Sequence, residues 1–169
     1  MWKELGFPKP FNTTPILFLD VSGEESWTPL QSWTNAAQSE AAITIARTIQ
    51  THSLGKVTTL CYYNSTLRDL KAHAPNLPCN TVDCCMGKRT DILILLTTRT
   101  NTHLTEETAK FFFDRNRLTV ALTRTKKGII IVGSQTVLKN SPLWRKLFIE
   151  LCQRISIVSL DEFVDYLKS

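Results

Sequence analysis

Long apolar runs are missing from this 169-residue chain: the longest, residues 92–96 and 129–132, are strand-sized. A membrane-spanning helix needs about 20 apolar residues in succession, so no membrane partner is expected. The opening MWKELGFPKP has no apolar signal core, which argues against secretion and for an intracellular, cytoplasmic or nuclear protein. Cysteine is sparse and unpaired in pattern: Cys61, Cys79, Cys84, Cys85 and Cys152 form an odd set with irregular spacing, unlike a disulfide framework. The CNTVDCC stretch has no histidine beside it, and His52, His73 and His103 are scattered. Zinc ligands come as close pairs, so no metal held by this chain is expected. A phosphate-cradling G-x4-G-K-[ST] loop is also missing. Residues 128–135 repeat its two glycines but lack the lysine, and their interior is a strand. Internal repeats, low-complexity tracts and linkers are absent as well.

What is present suits one domain over residues 1–169. Apolar residues make up 43% and charged residues 21%, enough apolar surface for a core and too much for disorder. The 20 basic and 15 acidic residues give a net charge of +5, unevenly placed. Residues 1–40 carry two basic and five acidic groups, whereas residues 110–127 carry six basic and one acidic. A basic cluster of this kind either meets phosphate or forms a solvated helix face.

Apolar runs alternate with helical patterns. Residues 15–19 read as a strand ending at Asp20, residues 27–32 as loop, and residues 36–50 as a helix with Ala41, Ile43, Ile45, Ala46 and Ile49 on one stripe. Strands are expected at 57–62, 80–82, 91–98, 128–133 and 156–158, and helices at 67–74, 142–155 and after Ser159. Ser159-x-x-Glu162 has the form of a capping box. A further helix, capped by Asp114, is expected to run to about Thr125. Strands rich in Ile, Leu and Val without polar alternation suit a parallel sheet covered on both faces. The expected fold is therefore three-layer α/β.

In such a sheet, ligands gather on loops that start helices. Two such loops are chemically loaded, residues 81–91 and 114–128. On a continuous helix, Arg117 and Arg124 would project about 20° apart and lie roughly 10 Å apart along the axis. Two guanidiniums at the border of the buried stripe fit forked recognition of phosphate oxygens, with a plain ion pair as the alternative.

The order ILFLDVSGEE, CYY, TVDCCMGKRTDILILLTTR, DRNRLTVALTRTKKGIIIVG and SPLWRKL resembles superfamily 1 helicases. More narrowly, it is similar to the second RecA-like domain of the subfamily that includes the nonsense-mediated decay helicase, over about residues 15–147. The resemblance implies a RecA-like, mostly parallel sheet with helices on both faces. It implies that Arg124 is an arginine finger for the γ-phosphate of ATP held by a first domain, with Arg117 assisting. Gly87 and Arg89 fall at nucleotide-side positions, and Thr81, Asp83 and Arg99 at nucleic-acid positions. ATP and magnesium would be used only together with a Walker-type RecA-like domain, in cis or in trans, and the nucleic-acid partner would be single-stranded RNA or DNA.

The sequence departs from the family pattern in several places. Met86 stands where glutamine is usual, Arg89 where a nucleotide-contacting glutamate is usual, and Cys61 to Thr66 replaces T-P-Y-x-x-Q. The usual R-R-L-N reads Asn116-Arg117-Leu118-Thr119. These changes bear on nucleotide contact and on coupling between clefts. Lacking a phosphate loop, the chain is expected not to hydrolyse ATP alone. The alternatives are a non-catalytic nucleic-acid-binding or interaction module on the same scaffold, and an unrelated flavodoxin-like nucleotide binder.

Overall fold

Among the described residues, six of the eight strands pair side by side in the parallel sense, and their alternating side chains divide the apolar residues between two faces. The computed structural model describes residues 16–85, 87–150 and 155–168. Its elements are β1 (Ile16–Asp20), β2 (Glu25–Thr28), β3 (Ser32–Asn35), α1 (Ala36–Thr51), β4 (Val57–Cys61), α2 (Asn64–His73), β5 (Cys79–Thr81) and a 3-10 turn (Val82–Cys84). Then come β6 (Thr90–Leu96), α3 (Arg115–Leu122), β7 (Thr125–Gly133), α4 (Gln135–Asn140), α5 (Pro142–Glu150), β8 (Ile155–Val158) and α6 (Leu160–Lys168). The main sheet has the order β5-β4-β6-β7-β1-β8, while β2 and β3 form a separate antiparallel hairpin.

Strand residues alternate between faces with period two. Leu17, Leu19, Ile92, Ile94, Leu96, Ile130 and Val132 join the core beneath α1, α2 and α6. Ile16, Phe18, Leu93, Leu95, Ile129 and Ile131 join Leu118, Ala121, Val137, Leu138 and Trp144 on the other face. Three layers result, the α/β architecture expected of a sheet covered on both sides. Trp144 is fully buried beside Phe112 and donates its indole N–H to the Phe112 carbonyl at 3.2 Å. It is a packing residue.

Several boundaries differ from expectation for physical reasons. Residues 27–32 are not loop throughout, because Trp27 pairs with Trp33 across the hairpin. Helix α2 starts at Asn64, before the apolar stripe begins, and buries Ser65 and Thr66 against that hairpin. Strand β7 starts at Thr125, where Thr90 of the neighbouring strand pairs with it. Helix α4 was not foreseen, and Ile155, the expected last residue of the helix from Pro142, opens β8 instead. Helix α6 carries the expected capping box: Glu162 N–H donates to Ser159 Oγ at 3.2 Å and Ser159 N–H to the Glu162 carboxylate at 2.8 Å.

Helix α3 needs its cap most, since it is two turns long and has little apolar stripe. The Asp114 carboxylate accepts from the N–H groups of Asn116 and Arg117 at 2.9 and 3.2 Å. Asp114→Ala is expected to cost about 1 kcal/mol. Thermal unfolding should register this as a drop of about 2–4 °C; an unchanged midpoint would show that the helix is held by packing alone.

Candidate nucleotide and nucleic-acid clefts

Parallel strands bring their carboxyl ends to one edge of the sheet, and the residues just beyond those ends build a first cleft. Tyr62 and Tyr63 follow β4, Thr81 ends β5, Arg99 follows β6, and the β2–β3 hairpin follows β1. With Asp83 and Phe111 they line a cavity of about 360 Å3. Thr81, Asp83 and Arg99, the three nucleic-acid candidates, thus share one cleft.

Arg99 owes its position to an uncommon turn. Thr98 has φ +67°, and the Arg99 N–H donates to the Thr97 carbonyl at 2.7 Å, closing a three-residue turn of the strained kind. A β-branched residue rarely adopts this conformation, which costs on the order of 1–3 kcal/mol. The surroundings fix it: the Thr98 N–H donates to Gln38 Oε1, its carbonyl accepts from Asn35 Nδ2, and its hydroxyl meets that of Thr66. The turn swings Arg99 beneath the hairpin, where Nε and Nη2 fork the Glu25 carboxylate at 3.1 Å each. The guanidinium carbon also lies 4.1 Å from the Trp33 ring centroid.

Glu25 accepts further from the backbone N–H groups of Thr100 and Asn101. Burial alone would raise its pKa. The Arg99 hydrogen bonds and those two N–H groups outweigh this and hold it below 4.5. Arg99 is only 2% exposed, and its Nη1 has no hydrogen-bond partner. Burial likewise pushes the Tyr62 hydroxyl far upward, and that hydroxyl is also unpartnered.

A second cleft, of about 300 Å3, opens near the amino ends of β6 and β7. Lys88, Arg89 and Arg124 line it with Asn80, Thr90, Cys84 and Cys85, and among the described residues no carboxylate does. Burial raises the Cys85 thiol, with the charge of Arg124 acting against it. Gly87, which lines neither cleft, has φ +77° and open space where a side chain would start. Backbone conformation rather than room is what glycine supplies there.

The relation expected between Arg117 and Arg124 needs correction. Helix α3 stops at Leu122 with Thr123 as its C-cap, so Arg124 lies beyond the helix and the seven-residue projection does not apply. Arg124 Nε donates to the Val120 carbonyl at 3.2 Å and Nη2 to the Thr123 hydroxyl at 3.4 Å. Arg117, at the other end of α3, forks Asp83 at 2.7 and 3.1 Å, donates to Asp114 at 2.9 Å and lies over the Phe111 ring at 4.1 Å. Those carboxylates raise its pKa further. Arg117 and Arg99 are therefore engaged by carboxylates. Among the described residues no ion pair is made by Arg89 or Arg124, which share the second cleft.

Comparison with known proteins decides the ancestry of this arrangement. A family model described as an AAA domain matches residues 3–136. The chain belongs to that family. Within it, the chain is a C-terminal RecA-like domain of the superfamily 1 helicases akin to regulator of nonsense transcripts 1. It is 28% identical to the Neurospora crassa homologue of that protein over 170 residues, covering 92% of this chain and 15% of the relative. With the Drosophila melanogaster homologue it shares 32% over 158 residues, 85% of this chain and 13% of the relative. The chain thus spans about one seventh of the length of these relatives. The crystal structure of the C-terminal domain of a possible DNA helicase from Lactobacillus plantarum superposes with a TM-score of 0.53 at 12% identity, covering 85% and 84% of the two chains. That likeness concerns the fold.

Set in this helicase family, the departures acquire places. Arg89 adds a third cation to the Arg124 cleft. Thr66 is buried and hydrogen-bonded to the Trp33 carbonyl and to Thr98, so it braces the strained turn instead of facing a ligand. Met86 lies outside the described residues. Glu25, Trp27 and Phe111 were not singled out from sequence. An acid at the start of a short strand and an arginine in the turn beyond a distant one carry no local sign that they will pair.

Proposed function

We propose that the chain is the C-terminal motor lobe of an ATP-dependent RNA or DNA helicase acting inside the cell, and that it completes an ATP site held mainly by a Walker-type RecA-like lobe. The observation that carries this reading is the separation of five candidate residues into two clefts, each lined in part by residues 81–90. One cleft holds Thr81, Asp83 and Arg99, and the other holds Arg89 and Arg124. Three cations without a carboxylate suit a polyphosphate. They offer no ligand for magnesium, which would belong to the partner lobe. Arg124 would place its fork on the transferred phosphoryl group and stabilise the charge that develops there.

Two routes join the clefts. Residues 81–90 run from one to the other and end where the Thr90 N–H donates to the Arg124 carbonyl at 3.0 Å. Asp83 also grips Arg117 at one end of α3, and Arg124 follows the other end. Strand-driven movement of Asp83 would thereby reach the finger.

The test is reconstitution. Alone, the purified chain should show no ATP turnover, and mixing it with a first RecA-like lobe of a superfamily 1 helicase should produce turnover stimulated by single strands. Turnover by the chain alone, or none from the mixture, would overturn the reading. If the mixture stays silent while single-strand binding falls steeply with salt, the chain is a non-catalytic binding module.

A further inference from the structure

We propose that the cleft at the carboxyl ends of the strands receives an unstacked nucleobase of the single strand, with exposed Trp27 as its stacking platform. This rests on the nucleic-acid reading above and gives that cleft a ligand of defined chemistry.

Charge separates the two clefts. Among the described residues the second has Lys88, Arg89 and Arg124 with no acidic residue in its lining, whereas the first balances Arg99 and Lys110 against Asp83 and Glu107. Arg99 is, in addition, already matched by Glu25. A phosphate gains little there. A planar neutral group gains a good deal, because the rim is apolar. Trp27, Leu30 and Phe111 all line this cleft and are 55%, 53% and 44% exposed. Large apolar side chains gathered at the rim of one cavity mark a binding surface more than scattered ones do.

The exposed rings are held from below. Trp27 sits edge-on to Trp33 at 5.1 Å, Trp33 rests on the Arg99 guanidinium, and Glu25 locks that guanidinium. Thr28 ties the hairpin to α2 through the Ser65 hydroxyl at 2.6 Å. Phe111 is pinned by Arg117 at 4.1 Å and stands edge-on to Tyr63. A platform braced before binding loses little entropy on stacking.

Two of the residues that line the cleft also carry buried hydrogen-bonding groups in need of partners. Arg99 Nη1 and the Tyr62 hydroxyl are buried and make no hydrogen bond. Such groups are rare, because each forfeits the free energy of its lost water contacts. A base edge presents carbonyl and ring-nitrogen acceptors beside N–H donors, which match a guanidinium donor and a phenol that does both.

The test compares binding of the full chain, by fluorescence anisotropy, to a fluorescent single strand of unmodified bases and to an abasic strand of equal length and phosphate count. The base-bearing strand should bind at least about tenfold more tightly, the range of one base stacked on an aromatic side chain. Trp27→Ala should remove that advantage while leaving abasic binding and the salt dependence as they were, and Trp27→Phe should retain most of it. Equal binding of the two strands, or a Trp27→Ala loss shared by both, would overturn the base pocket and leave the nucleic-acid reading standing. Failure of both strands to bind would overturn both.

Discussion

Arg124→Ala is expected to lower ATP turnover of the reconstituted two-lobe assembly by about 10³–10⁵-fold, the range found for arginine fingers. That corresponds to roughly 4–7 kcal/mol of transition-state stabilisation. The size of the effect follows from what Arg124 lacks in this lobe. Its two hydrogen bonds, to the Val120 carbonyl and the Thr123 hydroxyl, are local, partly exposed and long. Stability should therefore hardly change, and single-strand binding by the isolated chain should be preserved. Arg124→Lys should recover only a small part of the rate, since an ammonium keeps the charge but loses the planar fork. Arg117→Ala should behave differently. Removing the side chain that grips Asp83 and Asp114 loosens residues 81–90 and α3, so turnover should fall less and its stimulation by single strands more. Parent-level turnover by Arg124→Ala would remove the finger role, and a large drop in its melting temperature would give Arg124 a structural role instead.

The sheet was legible because each central strand is buried on both faces. Residues 92–96 and 129–132 are uninterrupted apolar runs for that reason, and all nine side chains are buried. The long helix α1 was equally plain from its stripe. The hairpin was not, because β2 and β3 are four residues each, expose Trp27, and flank a tip that contains Pro29 and Gln31 with φ +54°. Its stability comes from distant partners: Glu25 reaches Arg99 and Thr28 reaches Ser65. No local pattern announces contacts of that range. The six-residue helix α4 escaped for a related reason, since its N-cap Ser134 makes no side-chain capping bond.

The candidate site was legible in composition and much less so in geometry. The basic run around Arg117 and Arg124 read as one helical unit suited either to phosphate or to a plain ion pair. The folded chain gives Arg117 to Asp83 and Asp114 and leaves Arg124 in a separate cleft, because α3 ends at Leu122. Helix length depended on a tertiary event: Thr125 joins β7, its hydroxyl accepting from the Gly128 N–H and donating to the Asp91 carbonyl, and the chain straightens one residue after Arg124. Thr and Val at 119, 120, 123 and 125 are weak helix formers, which was the one available hint.

Glu25→Ala is expected to destabilise the chain by about 3–5 kcal/mol, the cost of leaving a buried charge without its partner. The Arg99 and Glu25 side chains are 3% and 10% exposed, so water cannot replace the lost carboxylate without opening the hairpin. Thermal unfolding should fall by about 6–20 °C for a chain of this size. Removing both charges should cost much less: Glu25→Leu with Arg99→Met retains volume and leaves no buried charge unpaired, only the Thr100 and Asn101 N–H groups without their acceptor, so most of the loss should be recovered. A double variant no better than Glu25→Ala would show that the Glu25 bonds to the Thr100 and Asn101 N–H groups matter more than the ion pair. The same carboxylate sets an acid limit. Its pKa is depressed on folding, so its contribution is complete above the unfolded value near 4.5 and is lost as pH falls through the lower folded value. In Glu25→Ala that part of the acid transition should be missing, which separates loss of the charge from loss of packing. Because Trp33 rests on Arg99 and Trp27 on Trp33, the variant should also free the exposed ring to move. Loss of the base-dependent part of single-strand affinity in Glu25→Ala, measured well below its melting temperature, would tie the buried pair to recognition as well as to stability.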